Sequence, residues 1–491
     1  MMDAKRLARG FKATLGARAA HVAANGLLVV LLTRFLLTNA EYGLLGTVLA
    51  VCGVAGLFAD LGLAKSAARY VTEYRETDPG QIPHVLRTAL GYRLVATFAV
   101  VAGFVVFGGR VARLVGRPDL APLLGIGGVY VAVYSLSTFT VIAFQGFNRV
   151  TYSAVTRATG SVCLLAFVTL GVVALGGAAG ALAGYVVSYA LAAAVGVGLL
   201  YWKFYRDHER AASDAVESGL ARRVLRYSVP LTATRGANVL DKRVDTILVG
   251  VLIGPVAVSY YYLAKQISTF VQTPAASLGF TVSPTYGEQK ADGETKSAAR
   301  LYETTLEHTL LLYVPAAAGM VLVADPAVVT VFGATYSAAV PVVQAFAGYV
   351  VLQAITFITS DALDFLGRAR ERALAKGGTS VANFLLNLLL IPAFGAFGAA
   401  MATVATHSVY VAVNLAVVHA ELSLAIPRLL RHVAFVCAIT VAMSGAVLVA
   451  LPYVSGPLSL AGVVLLGVVV WASLAVFSGL LDVRRVVGIL A

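Results

Sequence analysis

The chain has 491 residues, of which 59% are apolar; 37 are basic and 24 acidic, for a net charge of +13. Soluble domains carry about 25% charged residues, so 12% here, with a mean hydropathy of +0.85, cannot cover a water-facing surface. An ordinary cytosolic enzyme, a disordered chain and a disulfide-stapled secreted module are excluded.

Uninterrupted apolar runs near ~20 residues also exclude a β-barrel, whose strands are ~10-residue alternating segments. Lipid offers no hydrogen-bond partners, so each run is a predicted helix. The first run follows a basic stretch (Lys5, Arg6, Arg9, Lys12) and has no convincing cleavage site, so it is expected to be a retained span. In chain order the expected spans are 13–37, 44–68, 86–108, 121–145, 153–175, 180–202, 227–252, 257–283, 303–324, 337–362, 375–393, 397–419, 432–452 and 459–480. The class is therefore an all-α polytopic membrane protein of about fourteen transmembrane helices. The longest polar segment, between Lys203 and Arg226, leaves no room for a large soluble domain.

Lys and Arg set the orientation. With the N-terminus inside, 28 of the 37 basic residues fall in inner segments and 3 (Arg110, Arg113, Arg117) in outer loops. Both termini are expected in the cytoplasm of a multi-pass cell-membrane protein. The same split explains the net charge without nucleic acid. Cys52, Cys163 and Cys437 lie in separate apolar runs and form no metal or redox spacing.

The chain repeats itself at an offset of about 216–221 residues. Gly177-Ala-Ala-Gly-Ala181 opens the sixth span and Gly395-Ala-Phe-Gly-Ala399 the twelfth. Gln145-Gly146-Phe147-Asn148-Arg149 closes the fourth span, and Leu366-Gly367-Arg368-Ala369-Arg370 the tenth. Six spans separate the copies, so they share one orientation: two parallel-repeat six-helix lobes plus two extra helices, a transporter plan. The expected boundaries are 1–203 and 227–420 for the lobes, 204–226 for an inner linker and 421–491 for the added pair.

Ionisable groups inside a span are costly and usually functional. On the seventh span Arg235, Asn238, Lys242 and Asp245 share a face, flanked by Asp241. On the first, Thr14, Arg18, His21 and Asn25 form a matching face; a shift of 217 lays Arg18, His21 and Asn25 on Arg235, Asn238 and Lys242. The eighth adds Lys265 and Gln272 on the face of Tyr261 and Ser268. A basic cleft between the lobes would attract an anion, and the forked guanidinium suits phosphate. The other reading is a buried ion-pair network that holds helix register. Arg34 and Arg93 are placed to snorkel. Asp60, at the inner end of the second span, reads as gating, pairing or helix-end structure. His407 is a candidate proton carrier or an interhelical hydrogen-bond partner, and the 22 tyrosines read mostly as an interfacial belt. No P-loop, HExxH, G-x-S-x-G or paired-carboxylate arrangement occurs in a plausible context, so the chain reads as a transporter, not an enzyme.

The segment Arg34-Phe-Leu-Leu-Thr-Asn-Ala-Glu-Tyr-Gly43, the Asp60-Leu-Gly-Leu63 stretch with Arg69-Tyr70, the Gln145-Gly146 ending, the Gly177 turn with its second copy and the 6+6+2 plan carry a resemblance over nearly the whole chain. The sequence is similar to the polysaccharide (O-antigen type) flippases of the multidrug/oligosaccharidyl-lipid/polysaccharide exporter superfamily. That resemblance implies alternating access and a polyprenyl-(pyro)phosphate-linked oligosaccharide moved from the inner to the outer leaflet for surface glycan assembly. It implies contact of Arg18, Arg235 and Lys242 with the anionic head group; Arg34 matches a residue typical of the family, but its depth suggests a gate or interface role. Substrate contacts are thus expected from Arg18, His21, Asn25, Arg235, Asn238, Lys242, Lys265 and Gln272. Coupling or gating is expected from Arg34, Asp60, Asp241, Asp245 and His407. No cofactor or metal is expected, only H⁺ or Na⁺ as a coupling ion. The expected partners are lipid-linked oligosaccharide, membrane lipid and glycan-assembly enzymes, with the protein a monomer. The alternative is a multidrug exporter of the same superfamily, which would need an acidic cavity for cations.

Overall fold

The computed structural model describes residues 22–114, 117–210, 216–291 and 295–481. Among the described residues there is no strand. The helices are α1 (Val22–Leu36), α2 (Asn39–Asp60), α3 (Leu63–Thr77), α4 (Ile82–Leu114), α5 (Leu120–Gly146), α6 (Val150–Leu175) and α7 (Gly177–Leu200), followed by α8 (Leu220–Leu252) and α9 (Pro255–Ala291). After them come α10 (Thr295–Ala327), α11 (Val340–Phe365), α12 (Ala369–Leu422), α13 (Ile426–Ala450) and α14 (Pro457–Phe477).

Ten of the described helices are long and apolar enough to cross a membrane. One of them, α12, is broken at Gly395 (φ 59°, ψ −136°) and holds two spans. The described part of α1 is shorter, and α8 and α9, at 33 and 37 residues, are long enough but more polar. Together these make the fourteen spans of an all-α polytopic membrane protein. The chain divides between Ser259 and Tyr260 into two compact units.

In the first unit the second span is shorter than its hydropathy predicts. Helix α2 stops at Asp60, not near residue 68, because Leu61 (φ 44°) and Gly62 (φ 69°) both turn left-handed. Beyond them α3 is amphipathic and is not a span. Its apolar face (Leu63, Ala67, Tyr70, Val71, Tyr74) packs on Val85 and Leu86 of α4, Phe139 and Phe144 of α5, and Leu220 and Val224 of α8. Helices α6 and α7 meet along small residues: a Cβ on Gly180 would lie 2.3 Å from the Gly171 carbonyl oxygen, and one on Gly184 2.4 Å from Val168 Cα. Such close approach is how helices gain dispersion energy in lipid. Helices α2 and α8 run antiparallel, with Thr47 against Gly250 and Gly53 against Arg243.

In the second unit α10 packs on α11, α13 and α14, and α11 packs on α12. Two polar anchors fix the added pair. Arg428 at the start of α13 pairs with Glu307 (3.0 Å) and Glu303 (3.7 Å) of α10. Trp471 Nε1 of α14 donates to the Leu311 carbonyl at 3.0 Å. That carbonyl has no helical partner because Pro315, four residues on, has no N–H.

The repeat seen in the sequence recurs in the backbone. At the end of α5 the N–H groups of Phe147, Asn148 and Arg149 donate to the carbonyls of Ala143, Gln145 and Phe144. At the end of α11 those of Leu366, Gly367 and Arg368 donate to Ala362, Asp364 and Leu363. The donor-to-acceptor steps are identical, and the middle residue is left-handed in both (φ 55° and 76°).

Candidate functional site: a carboxylate between two arginines

Asp60 is the last residue of α2, where the helix dipole is negative and disfavours a carboxylate. It is also 3% exposed. A buried anion there needs cationic partners, and two helices supply them. Arg93 of α4 bonds Asp60 Oδ1, and Arg235 of α8 bonds Asp60 Oδ2. Arg93 also donates from Nε to Ser135 Oγ (2.9 Å) and from Nη2 to the Ser135 carbonyl (2.7 Å). Thr97, one turn along α4, lies 3.3 Å from the same hydroxyl.

The two arginines differ. The Arg93 side chain is 3% exposed, with its guanidinium 5.7 Å from the Phe139 ring centroid. The Arg235 side chain is 36% exposed and uses one N–H among the described residues. Two guanidiniums on one carboxylate leave an excess charge of about +1, presented by Arg235. Beyond it on α8, Asn238 and Lys242 are exposed, Asp241 and Arg243 half-buried, and Asp245 buried. The polar strip is therefore the half-buried Arg235 with the exposed Asn238 and Lys242, and Asp245 is rotated into the packing.

The structure thus joins two residues expected to act, Asp60 and Arg235, through a third, Arg93, that the sequence reading set aside. Arg93 does not snorkel, because a buried carboxylate and Ser135 satisfy it inside the unit. Arg34 is exposed at the end of α1, and Asn25 is half-buried on the same helix. Arg18 and His21, with Thr14, lie outside the described residues.

Lys265, Gln272 and His407 belong to the second unit. Lys265 Nζ lies 5.2 Å from the Tyr261 ring centroid, and Gln272 is buried. His407 is buried, with Nε2 3.0 Å from Thr356 Oγ1 and its ring between Tyr349 and Tyr410. Nearby, Asn383 Nδ2 donates to Thr406 Oγ1 across the fold of α12.

Four tyrosines depart from the interfacial belt. Tyr130 and Tyr134 of α5 and Tyr185 and Tyr189 of α7 cluster near the helix centres, with centroids 4.9–6.1 Å apart. They are an internal aromatic contact between two spans. Among the described residues no group of His, Cys, Asp and Glu could hold a metal ion.

Long apolar helices with charged groups buried within their spans define a polytopic membrane protein, and comparison with known proteins sharpens that class. Residues 19–288 match the model of the polysaccharide biosynthesis protein family. The chain belongs to that family. It is 23% identical over 364 residues to the probable low-salt glycan biosynthesis flippase Agl15 of Haloferax volcanii, covering 73% of this chain and 72% of that one. It is 22% identical to an uncharacterized membrane protein of Methanocaldococcus jannaschii, covering 76% and 89%. Among solved structures, the lipid II flippase MurJ in an inward closed conformation shares the fold with a TM-score of 0.76 at 15% identity, over 95% of this chain and 97% of that one. An inward-facing multidrug resistance MATE transporter follows at 0.68, also at 15% identity, over 82% and 94%.

Proposed function

We propose that the protein is a flippase that carries a polyprenyl-(pyro)phosphate-linked oligosaccharide from the inner to the outer leaflet by alternating access. It serves surface glycan assembly as a transporter rather than an enzyme. The single observation that carries this reading is the partly exposed guanidinium of Arg235, which uses one N–H among the described residues, with the excess positive charge of its cluster, on a helix of a family named for polysaccharide biosynthesis. A dianionic head group cannot cross bare hydrocarbon. A fixed guanidinium that offers two parallel N–H groups lowers that barrier. The Haloferax relative, named as a glycan biosynthesis flippase, supports the same substrate class.

In this reading Arg18, His21, Asn25, Arg235, Asn238, Lys242, Lys265 and Gln272 meet the substrate. Arg34, Asp60, Asp241, Asp245 and His407 serve gating or coupling to H⁺ or Na⁺. The six-plus-six-plus-two division, the cytoplasmic termini, the cell-membrane location and the monomeric state belong to the same proposal. A cation exporter is disfavoured by the sign of the exposed charge around Arg235.

The test is reconstitution. Proteoliposomes containing the wild-type chain should expose a fluorescent glycan-lipid pyrophosphate to an external quencher or lectin. The Arg235→Ala/Lys242→Ala protein, inserted at equal density, should not. Equal translocation by both proteins would reject the anion site.

A further inference from the structure

We infer that Asp60 is an internal stand-in for the substrate's phosphate: it holds Arg235 while the carrier is empty and surrenders it to the incoming head group. The inference rests on the flippase reading above and deepens it. Three features of the cluster carry it. First, Arg93 and Asp60 are both sealed from solvent, whereas Arg235 is about one-third exposed, so only Arg235 can be reached by a ligand. Second, Arg93 is fixed by Asp60 and by two bonds to Ser135, whereas Arg235 is held by Asp60 alone among the described residues. Third, the carboxylate has two partners. Removing the sole partner of a buried charge is heavily penalised, but Asp60 stays paired with Arg93 when Arg235 departs. The second arginine makes the first detachable.

The competition favours the ligand. A carboxylate offers Arg235 one charge, already shared with Arg93. The pyrophosphate of a lipid-linked glycan, esterified at both ends, brings about two charges in all, one on each phosphorus, and its non-bridging oxygens can take two parallel guanidinium N–H bonds at once. The exchange also has a mechanical consequence. Along the α2–α8 seam Thr47 meets Gly250 and Gly53 meets Arg243, Gly43 meets Pro255 at the start of α9, and Asp60–Arg235 joins the end of α2 to α8 beside the packing of Gly62 on Ser228. Those packing contacts do not depend on ligand, but the Asp60–Arg235 contact does. Binding of the head group therefore removes a ligand-dependent contact between the end of α2 and α8, while the packing of Gly62 on Ser228 and of α3 on α8 stays as a pivot, which links occupancy to helix movement.

The test uses the full chain in nanodiscs with farnesyl pyrophosphate as the probe. Affinity is measured together with the spin-label distance between Phe58→Cys on α2 and Leu240→Cys on α8, both exposed positions. Farnesyl pyrophosphate should lengthen that distance in the otherwise wild-type protein. Asp60→Asn should bind the probe about tenfold more tightly and show the long distance without ligand. Asp60→Glu should restore the wild-type pattern, and Arg235→Gln should abolish binding. Probe binding that Arg235→Gln removes but Asp60→Asn leaves unchanged would overturn the exchange and spare the flippase reading. Wild-type protein with no affinity for the probe would overturn both. Should Asp60→Asn fail to fold, a wild-type distance that stays fixed at saturating probe overturns the exchange on its own.

Discussion

Asp60 and Arg93, 33 residues apart in the chain, close an ion pair whose two side chains are 4% and 3% exposed. Removing one member of such a pair typically costs about 3–5 kcal/mol. Arg93→Ala should sit near the lower end, about 3 kcal/mol, because Arg235 still contacts Asp60. Arg235→Ala leaves the Arg93 pair intact and removes a partly exposed contact, for less than about 1 kcal/mol. Thermal unfolding in detergent, followed by fluorescence-detected size exclusion, should rank Arg93→Ala well below Arg235→Ala. Transport should fail in both.

The foot of α8 is clamped by α3, and the clamp has a pH window. The Tyr74 hydroxyl bonds Glu217 and Arg223, and Arg223 pairs with Glu217 at 2.7 Å. The Tyr74 hydrogen bond, helped by Arg223, holds the Glu217 carboxyl below its ordinary range. A depressed carboxyl stabilises above its unfolded pKa of about 4.3 and loses that contribution as pH falls through the lower folded value. Burial and then Glu217 push the Tyr74 phenol up to about 12. A raised pKa stabilises fully below about 10 and is lost as pH rises through 12. Amide exchange of residues 63–77 should therefore be slowest between pH 5 and 9, by rough reference to those model values, and faster on both sides after correction for intrinsic rates. Tyr74→Phe should remove the alkaline limb and also weaken the acid one, because the Tyr74 hydroxyl is the main cause of the depressed Glu217 carboxyl; an unchanged profile would refute the clamp.

The small-residue seam between α6 and α7 predicts a sharp contrast. Gly184→Leu forces a side chain against the Phe167 carbonyl, 2.3 Å from where its Cβ must go. Backbone cannot yield as a side-chain tip can, so the cost should exceed the usual ~1–3 kcal/mol of overpacking. Gly319→Ala in α10 meets nothing within 4 Å and should be neutral or stabilising by up to about 1 kcal/mol. Expression and thermal melting of the two variants decide the point.

What could be read from the sequence was whatever repeats or whatever hydropathy measures. The Gly177 and Gly395 turns and the paired endings at Asn148 and Gly367 are visible as spaced motifs; all four residues have positive φ, and the two endings share one hydrogen-bond pattern. The end of α2 was missed because a window average cannot see that Leu61 and Gly62 reverse the chain. Arg93 was missed because one residue's depth says nothing of its partner on another helix. The signal present was Thr97 one turn on, which marks a polar face in an apolar run. The tyrosines of α5 and α7 could not be told from the belt for a related reason: a belt residue and an interhelical ring have the same composition and differ only in depth. Asp245 shows the limit of helical-wheel reasoning, since ten residues from Arg235 the face has already rotated into the packing.

The left-handed turns yield a prediction about the two copies. Asn148 adopts φ 55°, a conformation that Gly tolerates better, whereas Gly367 at φ 76° already has the favoured residue. Gly367→Ala should cost about 1–2 kcal/mol, the penalty for placing a Cβ in the left-handed region. Asn148→Gly should be neutral. Opposite behaviour in thermal melts would mean that the two turns are not equivalent.

The attachment of α14 gives the strictest test, because its logic is pairwise. Pro315 strips the Leu311 carbonyl of its helical donor, and Trp471 Nε1 supplies the replacement at 3.0 Å. Trp471→Phe keeps most of the ring but leaves a buried acceptor unmet, for about 1–3 kcal/mol. Pro315→Ala restores the N–H at residue 315, which can then bond Leu311 itself. The Trp471→Phe loss should therefore shrink in a Pro315→Ala background, with a coupling of at least about 0.5 kcal/mol in the double-mutant cycle. Additive effects would mean that the indole serves only to fill space, and that the second unit holds its last helix by packing alone.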